Sequence, residues 1–327
     1  MTDGGSLVAR PYRPEDLPGF VEILNAADAV DGLKVNVTIE QMENWYSRAN
    51  QHFDAARDAI TVERDGTTVA MGDIEWVDTT DGLRELRLGG QVDPTLRRQG
   101  IGRWLLHHLE AMAVARARAL PETDRPLAFG AWIPEARVGG RILLEQEGYA
   151  PARHFFDMLR PTLDEIVVPE LPAGLEVRPM AEADLRRLWD ADVEAFLDHW
   201  GGFDGSDERY RAWLRDPDFD PSLFVIAWEG DQIAGGVINL IDPAENQKFG
   251  RAKGWLASVF VRRAWRRRGL ASALVARSLV VFRHRGMTSA GLGVDAANPN
   301  GALGLYERAG FEVEWRSVAY RKPFPAG

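Results

Sequence analysis

Two short segments of this chain have the make-up of an anion-binding turn. Arg97-Arg98-Gln99-Gly100-Ile101-Gly102 and Arg266-Arg267-Arg268-Gly269-Leu270-Ala271 each follow an apolar run and open a stretch of helical periodicity. Each therefore reads as a strand, a glycine turn and a helix N-terminus. Glycine lets the backbone approach an anion, successive N–H groups point into one space, and the helix end adds partial positive charge. A pyrophosphate is the ligand such a turn suits. The second copy sits in an arginine-rich stretch, Arg262, Arg263, Arg266, Arg267 and Arg268. That stretch either grips a small polyanion or is a solvated basic face.

The elements that must position these turns recur in the same order in both halves. Arg10-Pro11 and Asp16-Leu17 correspond to Arg178-Pro179 and Asp184-Leu185. The hairpin signal Asp65-Gly66 corresponds to Glu229-Gly230, with Ala70 and Gly72 answering to Ala234 and Gly236. Beyond the glycine turns, Leu143, Glu145, Gly148 and Tyr149 answer to Leu305, Glu307, Gly310 and Phe311. Landmarks in constant order at a nearly constant offset mark an internal duplication.

The second half predicts strands over Leu175–Arg178, Leu223–Trp228, Gln232–Ile241, Trp255–Val261, Ala290–Val294 and Phe311–Tyr320, with helices over Leu270–Phe282 and Gly301–Ala309. The expected fold class is α+β with α/β character: two tandem domains, each a mixed central β-sheet flanked by helices. Pro161, Pro169, Pro172 and Gly174 punctuate a connector. The expected domains are therefore 1–165 and 166–327.

Composition narrows the function. The chain has 327 residues, 45% hydrophobic and 27% charged, as in a globular protein with two cores. With no cysteine, disulfides, thiolate metal sites and a cysteine nucleophile are excluded. A net charge of −10 argues against general affinity for nucleic acid. No apolar run is long enough to span a membrane, and the N-terminal residues lack a signal-peptide pattern. The expectation is a cytoplasmic protein with no nucleic-acid partner and no membrane.

The segment VRRAWRRRGLA (Val261–Ala271), followed by VDAANPNGALGLYERAGF (Val294–Phe311), resembles the GCN5-related N-acetyltransferases in spacing and detail. Arg-x-x-Gly-x-Ala alone is weak. Joined to Asn298, Leu305-Tyr306-Glu307 and Gly310-Phe311 at the right distances, it is specific. The resemblance covers both halves, so the chain resembles a tandem acetyltransferase. It implies transfer of an acetyl group from acetyl-CoA to the amine of a small-molecule acceptor, with no metal. The N–H groups of Arg267, Arg268, Gly269, Leu270 and Ala271 would hold the coenzyme A pyrophosphate, with Arg266 screening its charge. Val259, Phe260 and Val261 would meet the pantetheine arm, Asn298 would bind the same cosubstrate, and Tyr306 would protonate the departing thiolate. By the same resemblance Arg97, Arg98, Gln99, Gly100, Ile101 and Gly102 form a second pyrophosphate loop.

The halves differ where chemistry is expected. Leu144 stands at the position of Tyr306 and Ala136 at that of Asn298, so the first domain binds acetyl-CoA without turnover, is a structural partner, or uses another acid; a non-catalytic domain that keeps a cofactor loop is the expectation. In the second half the fourth-strand positions where many relatives carry a base fall on Trp255 and Ala257, neither of which accepts a proton. Glu194, Asp198 and His199, in EAFLDHWGG, are the candidate bases. His199 has a suitable intrinsic pKa, or it is a capping histidine beside Trp200. Asp295 is either another base or a turn former. Two rivals stand beside the amine transferase: a non-catalytic acyl-CoA sensor or scaffold, and a transferase of a longer acyl group.

Overall fold

The computed structural model describes residues 6–197, 199–298 and 301–325. The first half runs β1 (Leu7–Pro11), α1 (Leu17–Val30), α2 (Ile39–Tyr46), α3 (Ala55–Asp58), β2 (Ala59–Arg64), β3 (Thr67–Asp78), β4 (Arg84–Val92), α4 (Ile101–Ala117), β5 (Leu127–Pro134), α5 (Val138–Gln146) and β6 (Ala150–Arg160). The second half runs β7 (Glu176–Arg178), α6 (Leu185–Phe196), α7 (Asp207–Leu214), β8 (Val225–Glu229), β9 (Gln232–Leu240), α8 (Pro243–Phe249), β10 (Lys253–Val261), α9 (Leu270–His284), β11 (Ser289–Asp295), α10 (Ala302–Arg308) and β12 (Glu312–Pro323). Two compact units result. One comprises Met1–Ala152, Ser206–Pro217 and Ser317–Gly327, the other Arg153–Gly205 and Asp218–Arg316.

In the first unit β1 to β4 form an antiparallel meander. The β2–β3 hairpin turns at Asp65-Gly66, both at positive φ, the geometry that matches strand twist. Helix α4 carries the chain across the sheet so that β5 lies parallel to β4. Ile101, Leu105 and Leu109 of α4 close the core over Val62, Ile74, Leu86 and Phe129.

The second unit repeats this plan. Strands β7 to β10 are antiparallel, and α9 crosses over so that β11 lies parallel to β10. Leu270, Leu274, Leu279 and Phe282 of α9 pack on Val237, Leu256 and Leu292. Full burial of each such side chain contributes roughly 1.5–3 kcal/mol. A Cβ on Gly254 would lie 2.4 Å from the Phe282 ring, so glycine there lets the helix approach β10.

The compact units depart from the expected division at residue 165. Strand β6, expected to close the first half, pairs antiparallel with β11 from Ala290↔Arg160 to Asp295↔Phe155, inside the second unit. The Ser317–Pro323 portion of β12 pairs antiparallel with β5, from Ser317↔Pro134 to Pro323↔Ala128, inside the first. Each half of the chain thus lends its final strand to the other half's sheet, and α7 also belongs to the first unit. Alternation along a strand reports which face is buried and not which edge it joins, so the exchange leaves no local mark. Helix α8 was likewise not expected. It occupies the β9–β10 connection, where the first unit has only the tight turn closed by Thr79 N–H donating to the Leu83 carbonyl at 2.8 Å.

Candidate active site

The turn after β10 has the conformation its sequence calls for. Arg267 lies at φ 60° and Gly269 at φ 84°, the latter as N-cap of α9. No atom crowds a Cβ built on Gly269, so the backbone angle and not space selects glycine. The first amides of α9 have no carbonyl one turn back to bond, which leaves them for an anion. Arg266 is hydrogen-bonded to backbone: its Nε donates to the Val261 carbonyl at 3.0 Å and its Nη2 to the Ala195 carbonyl at 3.2 Å. Arg268 donates to the Ala173 carbonyl at 3.1 Å. These two arginines fasten the turn to its neighbours, and Arg266 lines the cavity beside it together with Arg263 and Arg267.

Pairing between β10 and β11 runs from Lys253↔Ser289 to Leu256↔Leu292 and stops. Beyond it the strands diverge, and a cavity of about 630 Å³ opens between them. Its walls include Ala257 to Val261 on one strand, Gly293 to Asp295 on the other, Arg266, Arg267, Gly269, Leu270 and Ala271 of the turn but not Arg268, and Phe196, Asn298 and Tyr306. Strand β10 pairs on its other side with β9, so its backbone groups on the cavity side are left for an extended ligand. Tyr306 is 6% exposed, and burial holds its phenol above the ordinary range. Its hydroxyl makes no hydrogen bond to a described residue. It is a protonated donor on the cavity wall.

A β-bulge falls between Leu256 and Ser258. It reverses the alternation, so Ser258 reaches α6, where its hydroxyl donates to Asp192 Oδ1 at 2.6 Å. Asp192 is 5% exposed. Burial pushes its carboxyl up to about 7, against the Ser258 hydrogen bond, which lowers it. Neither residue was singled out from the sequence as a candidate base, although Asp192 belongs to an acidic run over 190–208 that would suit a cationic amine or is a solvated helix face. A bulge is invisible to a count of alternate residues from Val261, which selects Ala257 and Trp255. Asp192 did carry a signal, since it lies four residues after Leu188 and three after Trp189, on the buried stripe of α6.

The expected bases are placed differently. Glu194 pairs with Arg262 at 2.7 Å and is not part of the cavity wall. His199 is on the wall, with Nδ1 2.9 Å from the Trp200 carbonyl. Asp295 is held bidentate by Arg153 at 2.8 and 2.7 Å and accepts from the Ala297 amide, which makes it a turn-forming residue. Trp255 covers Gly291. Asp198 lies outside the described residues.

The first unit reproduces the turn: Arg98 at φ 66°, Gly100 at φ 84° capping α4, with β4 and β5 paired only as far as Arg87↔Gly130. Its contents differ. Arg97 is held bidentate by Asp31 at 2.7 and 2.9 Å, and Arg137 reaches Asp28 and, at 3.6 Å, Asp31. Asp28 and Asp31 occupy the positions of Phe196 and His199. Leu144, in place of Tyr306, is buried in the core.

The description "Acetyltransferase (GNAT) family" matches residues 185–311. A mycothiol acetyltransferase of Geodermatophilus obscurus is 30% identical over 93% of this chain and 94% of its own. The chain belongs to the GNAT acetyltransferase family. Among solved structures, a GCN5-related N-acetyltransferase from Sphaerobacter thermophilus is 28% identical with a TM-score of 0.71, covering 98% of this chain and 96% of that one. A tandem GNAT protein from the clavulanic acid biosynthesis pathway superposes with a TM-score of 0.74 at 16% identity over 98% and 100%, a likeness of fold. The chain is thus an acyl-CoA-dependent N-acetyltransferase with acetyl-CoA as cosubstrate. No helix among the described residues is long and apolar enough to cross a membrane.

Proposed function

We propose that the second unit transfers the acetyl group of acetyl-CoA to the amine of a small molecule, by direct attack in a ternary complex. The observation that carries this reading is the cavity where the Arg267–Ala271 turn, the divergent β10 and β11, Asn298 and Tyr306 meet. The amides of the turn and the α9 N-terminus take the pyrophosphate, the free side of β10 takes the pantetheine arm, and Tyr306 gives a proton to the leaving thiolate. Rate comes chiefly from holding the amine against a thioester carbonyl polarised by strand amides. The first unit is read as a non-catalytic partner that binds no coenzyme A, because Asp28 and Asp31, paired with Arg137 and Arg97, stand where the second unit has the cavity-lining Phe196 and His199. The reaction is read as cytoplasmic, its cosubstrate being an intracellular metabolite.

The name of the 30% identical relative points to an acceptor related to mycothiol. The test is CoA release on a panel of desacetyl-mycothiol, glucosamine and spermidine. Acceptor-dependent release with a mass gain of one acetyl group on the amine is expected. Absence of transfer to every amine, with acetyl-CoA bound, would defeat the reading.

A further inference from the structure

We propose that Ser258 and Asp192 form the proton exit of the acceptor amine: the Ser258 hydroxyl takes a proton from the bound amine as its own proton passes to Asp192. This rests on the reading that the second unit performs the transfer. Three observations carry it. Ser258 lines the cavity on β10, the strand read as carrying the pantetheine arm, and its hydroxyl is committed as a donor to Asp192. Among the described residues no cation lies against Asp192. The charged groups on the elements packed around it are engaged elsewhere: Asp184 with Arg187, Asp190 with Arg186, Glu194 with Arg262 and Lys253 with Glu245. Strand β9 carries no charged side chain, and His199 is turned to the Trp200 carbonyl. Finally, a carboxyl is a poor choice for merely pinning helix to strand. Burial disfavours its charged form, whereas asparagine would accept the same hydrogen bond without that penalty.

The step balances as follows. An acceptor arriving as an ammonium ion gives one proton to Ser258 Oγ while the Ser258 proton moves to Asp192 Oδ1. The freed nitrogen lone pair forms the C–N bond to the thioester carbon, and the C–S bond breaks with its electron pair leaving on sulfur. Sulfur takes the Tyr306 proton, and Tyr306 is reprotonated by the second proton lost from nitrogen, which leaves a neutral amide and a thiol. Asp192 then releases its proton to solvent, the one net proton of the reaction. Ser258 is the catalytic residue here and Asp192 acts through it.

The test compares Asp192→Asn, Ser258→Ala and Ser258→Thr with the unaltered chain, using the acceptor in the panel that releases CoA fastest. Because Asp192 must be ionised to accept a proton, kcat of the unaltered chain should rise through an acid limb near neutral pH. Asp192→Asn and Ser258→Ala should lower kcat by at least about 100-fold and abolish that limb, with KM for acetyl-CoA changed less than about threefold. Ser258→Thr, which keeps the hydroxyl, should recover most of the rate. An Asp192→Asn variant that retains kcat and the acid limb overturns the proposal. If that variant is not recovered folded, Ser258→Ala, which removes one oxygen, decides in the same way. Failure of all acceptors would defeat the functional reading and leave the relay to a separate readout, carbon-13 NMR of the aspartate carboxyls with bound acetyl-CoA. A carboxyl near neutrality that moves in Ser258→Ala supports the relay. An Asp192 that stays ionised down to about pH 5 overturns it.

Discussion

In the second unit the space beyond the last β10–β11 pair is a cavity lined by Tyr306. At the corresponding place in the first unit Arg97 and Arg137 meet Asp28 and Asp31, and Leu144 joins the core. The turns themselves are nearly superposable, with Gly100 and Gly269 both at φ 84° and both capping a helix. The comparison separates two properties that one motif appeared to carry together. The glycine turn is required to launch a helix from a strand and is kept in both units for that reason. On the proposed reading, binding coenzyme A needs in addition the open cavity beside the turn that the second unit has. In the first unit the chain supplies its own anion.

The comparison is most directly broken at the tyrosine. Tyr306→Phe should lower kcat by about 10²–10⁴-fold while acetyl-CoA affinity, measured by calorimetry, stays nearly unchanged. An unaltered kcat would remove the phenol from proton transfer. A smaller difference is expected from the paired turn variants Gly269→Val and Gly100→Val. Both force a branched residue into the left-handed region, a strain on the order of 1–2 kcal/mol. Only Gly269→Val should weaken acetyl-CoA, by about tenfold, whereas Gly100→Val should lower Tm and leave binding intact. Equal weakening by both would mean that the first unit also holds the cosubstrate, and native mass spectrometry would then count two bound molecules instead of one.

Asp31→Asn removes the charge that neutralises Arg97. A loss of about 1–3 kcal/mol is expected, read as a lower Tm with kcat unchanged. Appearance of a second acetyl-CoA site in that variant would show that the ion pair alone closes the first unit. The smallest effect is expected at His199, where alanine should change kcat less than about threefold, since the ring is tied to the Trp200 carbonyl and Ser258 with Asp192 supplies the proton route. A fall of a hundredfold would restore His199 as base.

Much of this was legible in the residues. The two turns, the α9 helix from Leu270, the β9 and β10 strands and the placing of Tyr306 and Asn298 on one wall followed from glycine punctuation, apolar period and family resemblance. Local signals of that kind stop at interactions made over long sequence distances. Asp31 and Arg97 are separated by 66 residues, and nothing in either neighbourhood names the other. The bulge at Ala257 shifted the facing of β10 by one residue, enough to move the polar group on the wall from the counted positions to Ser258. Glu194 looked chemically apt but lies against Arg262, a partner 68 residues away.

The exchanged strands bear on the order in which this protein can be made. The β5 edge of the first unit is completed only by Ser317–Pro323, and Val318 and Tyr320 from that segment enter its core. On the ribosome, residues 1–152 therefore emerge with an open sheet edge and wait for almost the entire remaining chain before they can close. Such long-range closure is slow and leaves hydrophobic surface exposed in the interval. A chain truncated ahead of Ser317 should consequently lose the first unit's integrity before the second's, although the missing residues come from the far end of the sequence.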